Sequence, residues 1–534
     1  CERPDAGLVA AACAAGALGV LELGRDPARA RHALAALGHQ VDRAAVRIPD
    51  SCAIAADQLP GWVSAVIVAD VADVARFGDR PVLAQVTSLA EARERARRAA
   101  AQLPPGAWLV GRGWDQNDWP EQRFPSASDL DTGGRPAFLE RIDGHAAWVD
   151  ARALALAGID DRTPDPPGGR ILRDAAGRAT GVLVDAAMNL VQARIPPPDE
   201  ATRLRRLQRG LEACARLGLT SVHDAGVDLA GVALYKRLLA EGRLPIRVYV
   251  MLSTADFLAQ GARLSPEVGL GDGRLTVRAV KAYADGALGS RGALLLQPYA
   301  DEPGQRGLPA LEEGDFARLL RLALERGFQV ATHAIGDAAN RLVLDAYARA
   351  FAQDGLHGAA RRFRVEHAQI VAAEDLPRFK ALGVIPSVQP THCTSDMPWA
   401  GERLGAARLA GAYRWRSFLD LGLPLPGGSD APVEGADPRL GLYAAVTRQD
   451  RAGQPAGGWQ AQERVTPAEA LAMFTRHAAF AAFEEQERGR LAPGLRADLT
   501  VLDRDPLSAP AAALPEARVL YTVVDGQVVH EGGR

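Results

Sequence analysis

His223, Lys281, His333, His367 and Asp430 share a placement. Each lies near the end of a short β-rich run, in TSVHDAG, VKAYADG, ATHAIGD, RVEHAQI and GGSDAPV respectively. Imidazole and carboxylate groups are the donors that hold zinc and similar divalent ions. Plainer readings exist for each residue. Lys281 could pair with Asp285 or Asp430, His333 and His367 could be core histidines bonded to backbone, and Asp430 could be a turn residue or helix cap. Five such residues in register with five strand ends favour a shared site over five separate accidents.

The elements that must position them repeat from about residue 200 onward. A helical stretch, a glycine, a short β-rich run and then polar residues recur about every 30 to 50 residues, as βα units do. EEGDFARLLRLALERG before FQVATHAIGD is one example, and AAEDLPRFKALG before VIPSVQPTH is another. Alternation sustained this long predicts an α/β fold, a (β/α)8 TIM barrel, with a doubly wound sheet as the alternative. In both, the C-terminal strand ends carry the site. Ser88 before LAEARERARRAA, with Glu91 three residues on, predicts a capping box and a helix.

Two regions break the rhythm. Residues 104–195, rich in Gly, Pro, Trp and Asp, predict a long insertion able to cover the barrel mouth. Residues 488–534 turn to short β-like pieces, and Asp525-Gly526 between β-branched runs is a hairpin signal. The expected organisation is an atypical N-terminal segment (1–58), a barrel (59–487) and a C-terminal piece (488–534) of a small β domain completed by N-terminal strands.

The bulk numbers narrow the partners. At 534 residues the chain exceeds one small core. A net charge of -3 gives no reason to expect nucleic acid or an acidic membrane surface, and nothing in it excludes a homo-oligomer. The Ala-rich AGLVAAACAAGALGVLEL reads as a buried segment rather than a membrane span. Five scattered cysteines without a CxxC argue against disulfides and fit a cytoplasmic location.

The ordered stretches GRGWDQNDW, LERIDGHAAWVDARALALAGI, GRATGVL, TSVHDAG, VKAYADGALGSRGALLLQPYAD, ATHAIGDAAN, RVEHAQI, SVQPTH and GGSDAPV resemble the amidohydrolase superfamily. More narrowly, they resemble the amidohydrolase 3 family that contains YtcJ-like proteins and N-substituted formamide deformylase. The resemblance spans about residues 105–530 and implies a (β/α)8 barrel beside a β-sandwich. It also implies a metal-dependent hydrolase that cleaves a non-peptide, amide-type C–N bond of a small molecule with metal-activated water. Carried over, the metal ligands are Lys281 (if carboxylated, since an ammonium repels a metal), His333, His367 and Asp430. Asp430 is also the proton acceptor. His145 in RIDGHAAW resembles a substrate-contacting position. Trp114 could line an apolar pocket or pack the insertion. His223 could orient a neighbour from the third strand, and His392 closes the seventh strand. These four are the substrate-side candidates. Cys393 is discounted as a nucleophile because neighbours on a strand face opposite ways.

The family pattern opens with Pro-Gly, two hydrophobic residues and Asp-x-His-x-His. Here residues 60–68 read PGWVSAVIV, which puts Ser64, Val66 and Val68 at the polar positions. One divalent ion, with zinc as the expected metal, is therefore anticipated rather than two. A catalytically inactive barrel kept as a binding module is the competing reading. A metal-free carboxylate enzyme, drawing on Asp224, Asp337 and Asp430, is a weaker third.

Overall fold

The computed structural model describes residues 86–104, 106–355 and 358–532, with three short strands at 20–22, 45–47 and 68–70. Ser64, Val66, the helical reading of the first segment, and Cys1, Cys13 and Cys52 lie outside the described residues.

Seven strands form one parallel curled sheet. They are β1 (Val68–Asp70), β2 (Ser221–Val227), β3 (Arg247–Ser253), β4 (Leu275–Tyr283), β5 (Gln329–Ala334), β6 (Arg364–His367) and β7 (Ile385–Ser387). Their spatial order is their chain order. A doubly wound sheet needs a point where that order reverses, so the alternative topology is ruled out for these strands. A parallel bridge from Val388 to Gly427 lays the segment before Asp430 beside β7 in the eighth position. The result is a TIM-barrel-like α/β fold. It moves His223 from the expected third strand to β2, because the long insertion separates β1 from β2.

The βα rhythm has a local cause. The helix Glu313–Arg326 buries Phe316, Leu319, Leu320, Ala323 and Leu324 on one face and stops at Gly327, whose φ of 77° few other residues adopt. The chain then enters β5. Along β4, Ala279 and Lys281 share one face, and along β5 Ala331 and His333 do the same. Ala279 and Ala331 pack with Tyr249 and Met251 in a small core within the curl of the sheet. Lys281 and His333 thus stand one pleat above that core, at the C-terminal end.

The insertion holds its own five-stranded sheet, in the order Leu109–Trp114, Ala137–Arg141, Ala146–Val149, Ala179–Asp185, Gly169–Arg173. Before it, the helix Leu89–Ala101 starts at Ser88, whose Oγ accepts from the Glu91 amide at 3.2 Å. The return bond of the expected capping box goes to the neighbour, since the Thr87 amide donates to Glu91 Oε2 at 3.0 Å. Near the C-terminus, Leu499–Leu502, Val519–Val524 and Gln527–Glu531 form an antiparallel sheet. Its hairpin turns at Asp525 and Gly526 (φ 58° and 76°), as the sequence predicts.

Candidate metal centre and substrate cavity

Two adjoining cavities, of 570 and 230 Å³, open at the C-terminal end of the sheet, and both are bordered by His145, His333, His367 and Asp430. The larger also reaches Lys281, and the smaller reaches His392. A groove of 650 Å³ between the helices Glu313–Arg326 and Asp337–Asp354 lies outside the barrel and has no histidine in its walls.

His367 reaches the site by a break in strand geometry. Arg364 and Glu366 share one face of β6, their side chains 2.7 Å apart. Simple alternation would point His367 the other way. Its φ of 73° and that of Ala368, 40°, turn the chain at this point. The His367 ring comes to rest 4.5 Å from that of His333 and 5.8 Å from that of His392. Asp430 has φ 54°, again in the left-handed region. Non-glycine residues held there cluster at functional sites, and two of the expected ligands are among them.

The ligand atoms of His367, His392 and Asp430 all lie within 4.8 Å of one another. Burial holds the His333 and His367 imidazoles well below their usual pKa, helped for each by neighbouring positive or titratable groups, Lys281 and His392 among them. Neutral imidazoles are the form a metal requires. The donor set therefore fits a divalent ion. His367 Nδ1 contacts Gln389 Oε1 at 2.7 Å, which leaves Nε2 as the outward nitrogen. Lys281 does not take up either of its plainer partners among the described residues. Its Nζ lies 5.0 Å from the centre of the Tyr283 ring. Asp285 instead accepts the amides of Leu294, Ile335 and Gly336, while burial pushes its carboxyl up to about 7. It clamps the loops after β4 and β5 around His333.

His145 arrives from the insertion sheet. Its Nδ1 lies 2.7 Å from Asp185 Oδ1 and its ring 5.0 Å from that of His333. Burial opposes a charge on His145, but the hydrogen bond and charge of Asp185, with Asp143 and Asp285 nearby, outweigh it and raise its pKa. Asp185 is seated where a side chain would not fit. A Cβ on Gly286 would fall 2.5 Å from its Oδ2, and one on Gly292 2.6 Å. Arg141 pairs with both Asp115 and Asp143, and Asp143 receives the His145 amide at 3.0 Å.

Three expected placements change. His392 does not end a strand, because β7 stops at Ser387 and Pro390 opens the helix Pro390–Asp396 that carries it. Trp114 is fully buried in the insertion's own core beside Trp119 and Trp148, its indole donating to Leu139 O at 2.7 Å. Like Trp119 and Trp148 it borders neither cavity, so the insertion's tryptophans say nothing about an apolar substrate group. His223 faces the interior below the site, with Arg364 Nη1 3.0 Å from its Nδ1 and the Tyr249 ring 5.0 Å away. Cys393 is buried on the same helix as His392, and burial pushes its thiol up to about 12. The three carboxylates of the metal-free reading form no pair among the described residues, since Asp224 accepts from Tyr235 and Asp337 from the Leu296 amide.

The amidohydrolase family model matches residues 80–530. The chain belongs to the amidohydrolase family. It is 35% identical to the Bacillus subtilis (strain 168) protein YtcJ, covering 84% of each chain. It is 30% identical to N-substituted formamide deformylase of Arthrobacter pascens, covering 84% of this chain and 83% of that one. The crystal structure of an uncharacterized metal-dependent hydrolase from Pyrococcus horikoshii superposes with a TM-score of 0.66 at 28% identity, over 84% of this chain and 87% of the other. This family membership supports a hydrolase over a barrel retained for binding alone. Among the described residues of this amidohydrolase, no helix is long and apolar enough to cross a membrane.

Proposed function

We propose that this chain hydrolyses a non-peptide, amide-type C–N bond of a small molecule with the help of one divalent ion, zinc being the expected metal. One observation carries the reading: His367, His392 and Asp430 converge at the floor of a cavity at the C-terminal strand ends. His367 and Asp430 would hold the ion, with His333 and a carboxylated Lys281 as the neighbours the family pattern assigns. When bound, such an ion lowers the pKa of a water and polarises the substrate carbonyl.

The chain's own groups carry the remaining steps. Asp430 takes a proton from the attacking water, and the remaining O–H adds to the carbonyl carbon. The C–N bond then breaks, and Asp430 returns the proton to the departing nitrogen. One water is consumed, and one carboxylic acid and one amine leave. His145, fixed by Asp185, faces the same cavity and contacts the substrate. The name of the Arthrobacter pascens relative makes N-substituted formamides the first class to screen. The strand at 45–47 lies beside Leu499–Leu502, which supports the reading of 1–58 and 488–534 as one β-sandwich flanking a barrel over 59–487.

The test is elemental mass spectrometry on protein purified without chelator, joined to an amine-release screen. About one ion per chain is expected, with amine release lost to chelator and restored by zinc. No metal after incubation with zinc and bicarbonate would sink the reading and leave the binding module. A second variant examines His145. Gly286→Ala sets a Cβ against the Asp185 carboxylate. It should lower kcat/KM roughly ten- to a hundred-fold at unchanged metal content. Unaltered kinetics would remove His145 from substrate contact.

A further inference from the structure

We infer that His392 is a metal ligand, so that the ion of this chain is held by His367, His392 and Asp430. The inference rests on the metal-hydrolase reading above.

Geometry is the first support. The three ligand atoms lie within 4.8 Å of one another, and His392 Nε2 is 4.0 Å from Asp430 Oδ2. That distance is too long for a hydrogen bond. Donors about 2.0–2.2 Å from one ion lie about 3.3–4 Å apart. The two groups therefore stand at about the separation of two ligands of one ion.

The second support is an unmet need. His392 is 9% exposed, and its Nε2 has no hydrogen-bond partner among the described residues. A buried ring nitrogen left alone calls for an explanation. A shared ion at the point where Nε2, the outward nitrogen of His367 and the Asp430 carboxylate meet supplies one.

The supporting shell has the form that ligating histidines need. Metal-bound imidazoles usually donate their other N–H to a carbonyl or carboxylate, which fixes tautomer and ring direction. Gln389 Oε1 does this for His367 Nδ1 at 2.7 Å. Gln389 also caps the helix that carries His392, whose amide donates to Gln389 O at 3.1 Å. One residue at the end of β7 thus sets the direction of one imidazole and the start of the helix bearing the other.

The expected alternatives are otherwise engaged. Lys281 can serve only if carboxylated, and its Nζ lies 5.0 Å from the centre of the Tyr283 ring. His333 Nε2 lies 3.3 Å from Gly286 O, which leaves that residue only its other nitrogen. The sequence gives the same direction. Where the family pattern places first-strand histidines, this chain has Val66 and Val68. A ligand from the β7 side would offset part of that loss.

The experiment compares zinc stoichiometry and affinity of the full-length wild type, His392→Ala and Lys281→Ala by elemental analysis and competition with a chromogenic chelator. Wild type should hold about one ion and Lys281→Ala should keep it. His392→Ala should bind zinc at least about a hundred-fold more weakly, since even outer-shell partners cost 10–100-fold. Should His392→Ala fold poorly, cobalt-loaded His392→Cys replaces it. A thiolate-to-cobalt charge-transfer band is expected, because it arises only if the side chain at 392 bonds the ion. Full zinc binding by folded His392→Ala, with loss in Lys281→Ala, would overturn the inference while leaving the hydrolase reading in place. A wild type that takes up no metal would overturn both.

Discussion

Asp430→Asn is expected to lower kcat/KM by roughly 10²–10⁴-fold, the range for loss of a positioned acid–base group, with the thermal midpoint unchanged. The substitution keeps shape and hydrogen-bonding capacity and removes charge and basicity. It also suits the backbone, because Asn tolerates the left-handed region that Asp430 occupies at φ 54°. The side chain is a quarter exposed and borders both cavities, so it meets substrate from either side. Metal content measured on the same sample separates two contributions. Activity lost with the ion retained isolates the proton-accepting role, and loss of both shows that ligation came first. Activity within ten-fold of wild type would remove Asp430 from the chemistry altogether.

The fold was legible wherever local pattern decides structure. Helix, glycine and short apolar run recur because each βα unit needs an amphipathic face, a left-handed stop and a buried strand, and Gly327 is such a stop. The ends of β4 and β5 followed from period-2 alternation, which sets Lys281 and His333 above Ala279 and Ala331. His367 obeys no such rule, since its direction depends on a positive φ that no residue type announces. The β-rich run VIPSVQPTH suggests a strand for His392, whereas Pro390 signals a helix start, proline being favoured at a first helical position. Asp185 and Gln389 were missed because their partners, His145 and His367, stand 40 and 22 residues away. Spacing along the chain carries no trace of contacts that only the folded sheet creates. Trp114 shows the converse: its type suggested a pocket, and its place in the insertion's core came from neighbours the motif could not show.

Asp498→Ala is expected to be the most destabilising single change outside the site, at about 3–5 kcal/mol, the usual cost of stranding a buried charge. Arg247, at the start of β3, grips the Asp498 carboxylate through Nε at 2.6 Å and Nη2 at 2.9 Å. The two side chains are 1% and 0% exposed, and the Asp525 amide donates to the same carboxylate at 2.8 Å. Truncation would leave the guanidinium buried with the 3.2 Å contact to Asp525 as its remaining carboxylate partner and a 3.1 Å bond from Nη1 to Asp272 O, and would orphan a turn amide of the C-terminal hairpin. The pair joins the N-terminal end of the barrel strands to the C-terminal sheet, far from the mouth where the cavities open. The urea midpoint of the transition that includes this sheet should therefore fall, while the folded fraction keeps its kcat and its metal. Arg247→Met combined with Asp498→Leu should recover much of the loss, because an apolar pair of similar volume removes the uncompensated charge. A loss under about 1 kcal/mol for Asp498→Ala would show that water reaches the pair and that its apparent burial is not what holds the C-terminal sheet to the barrel.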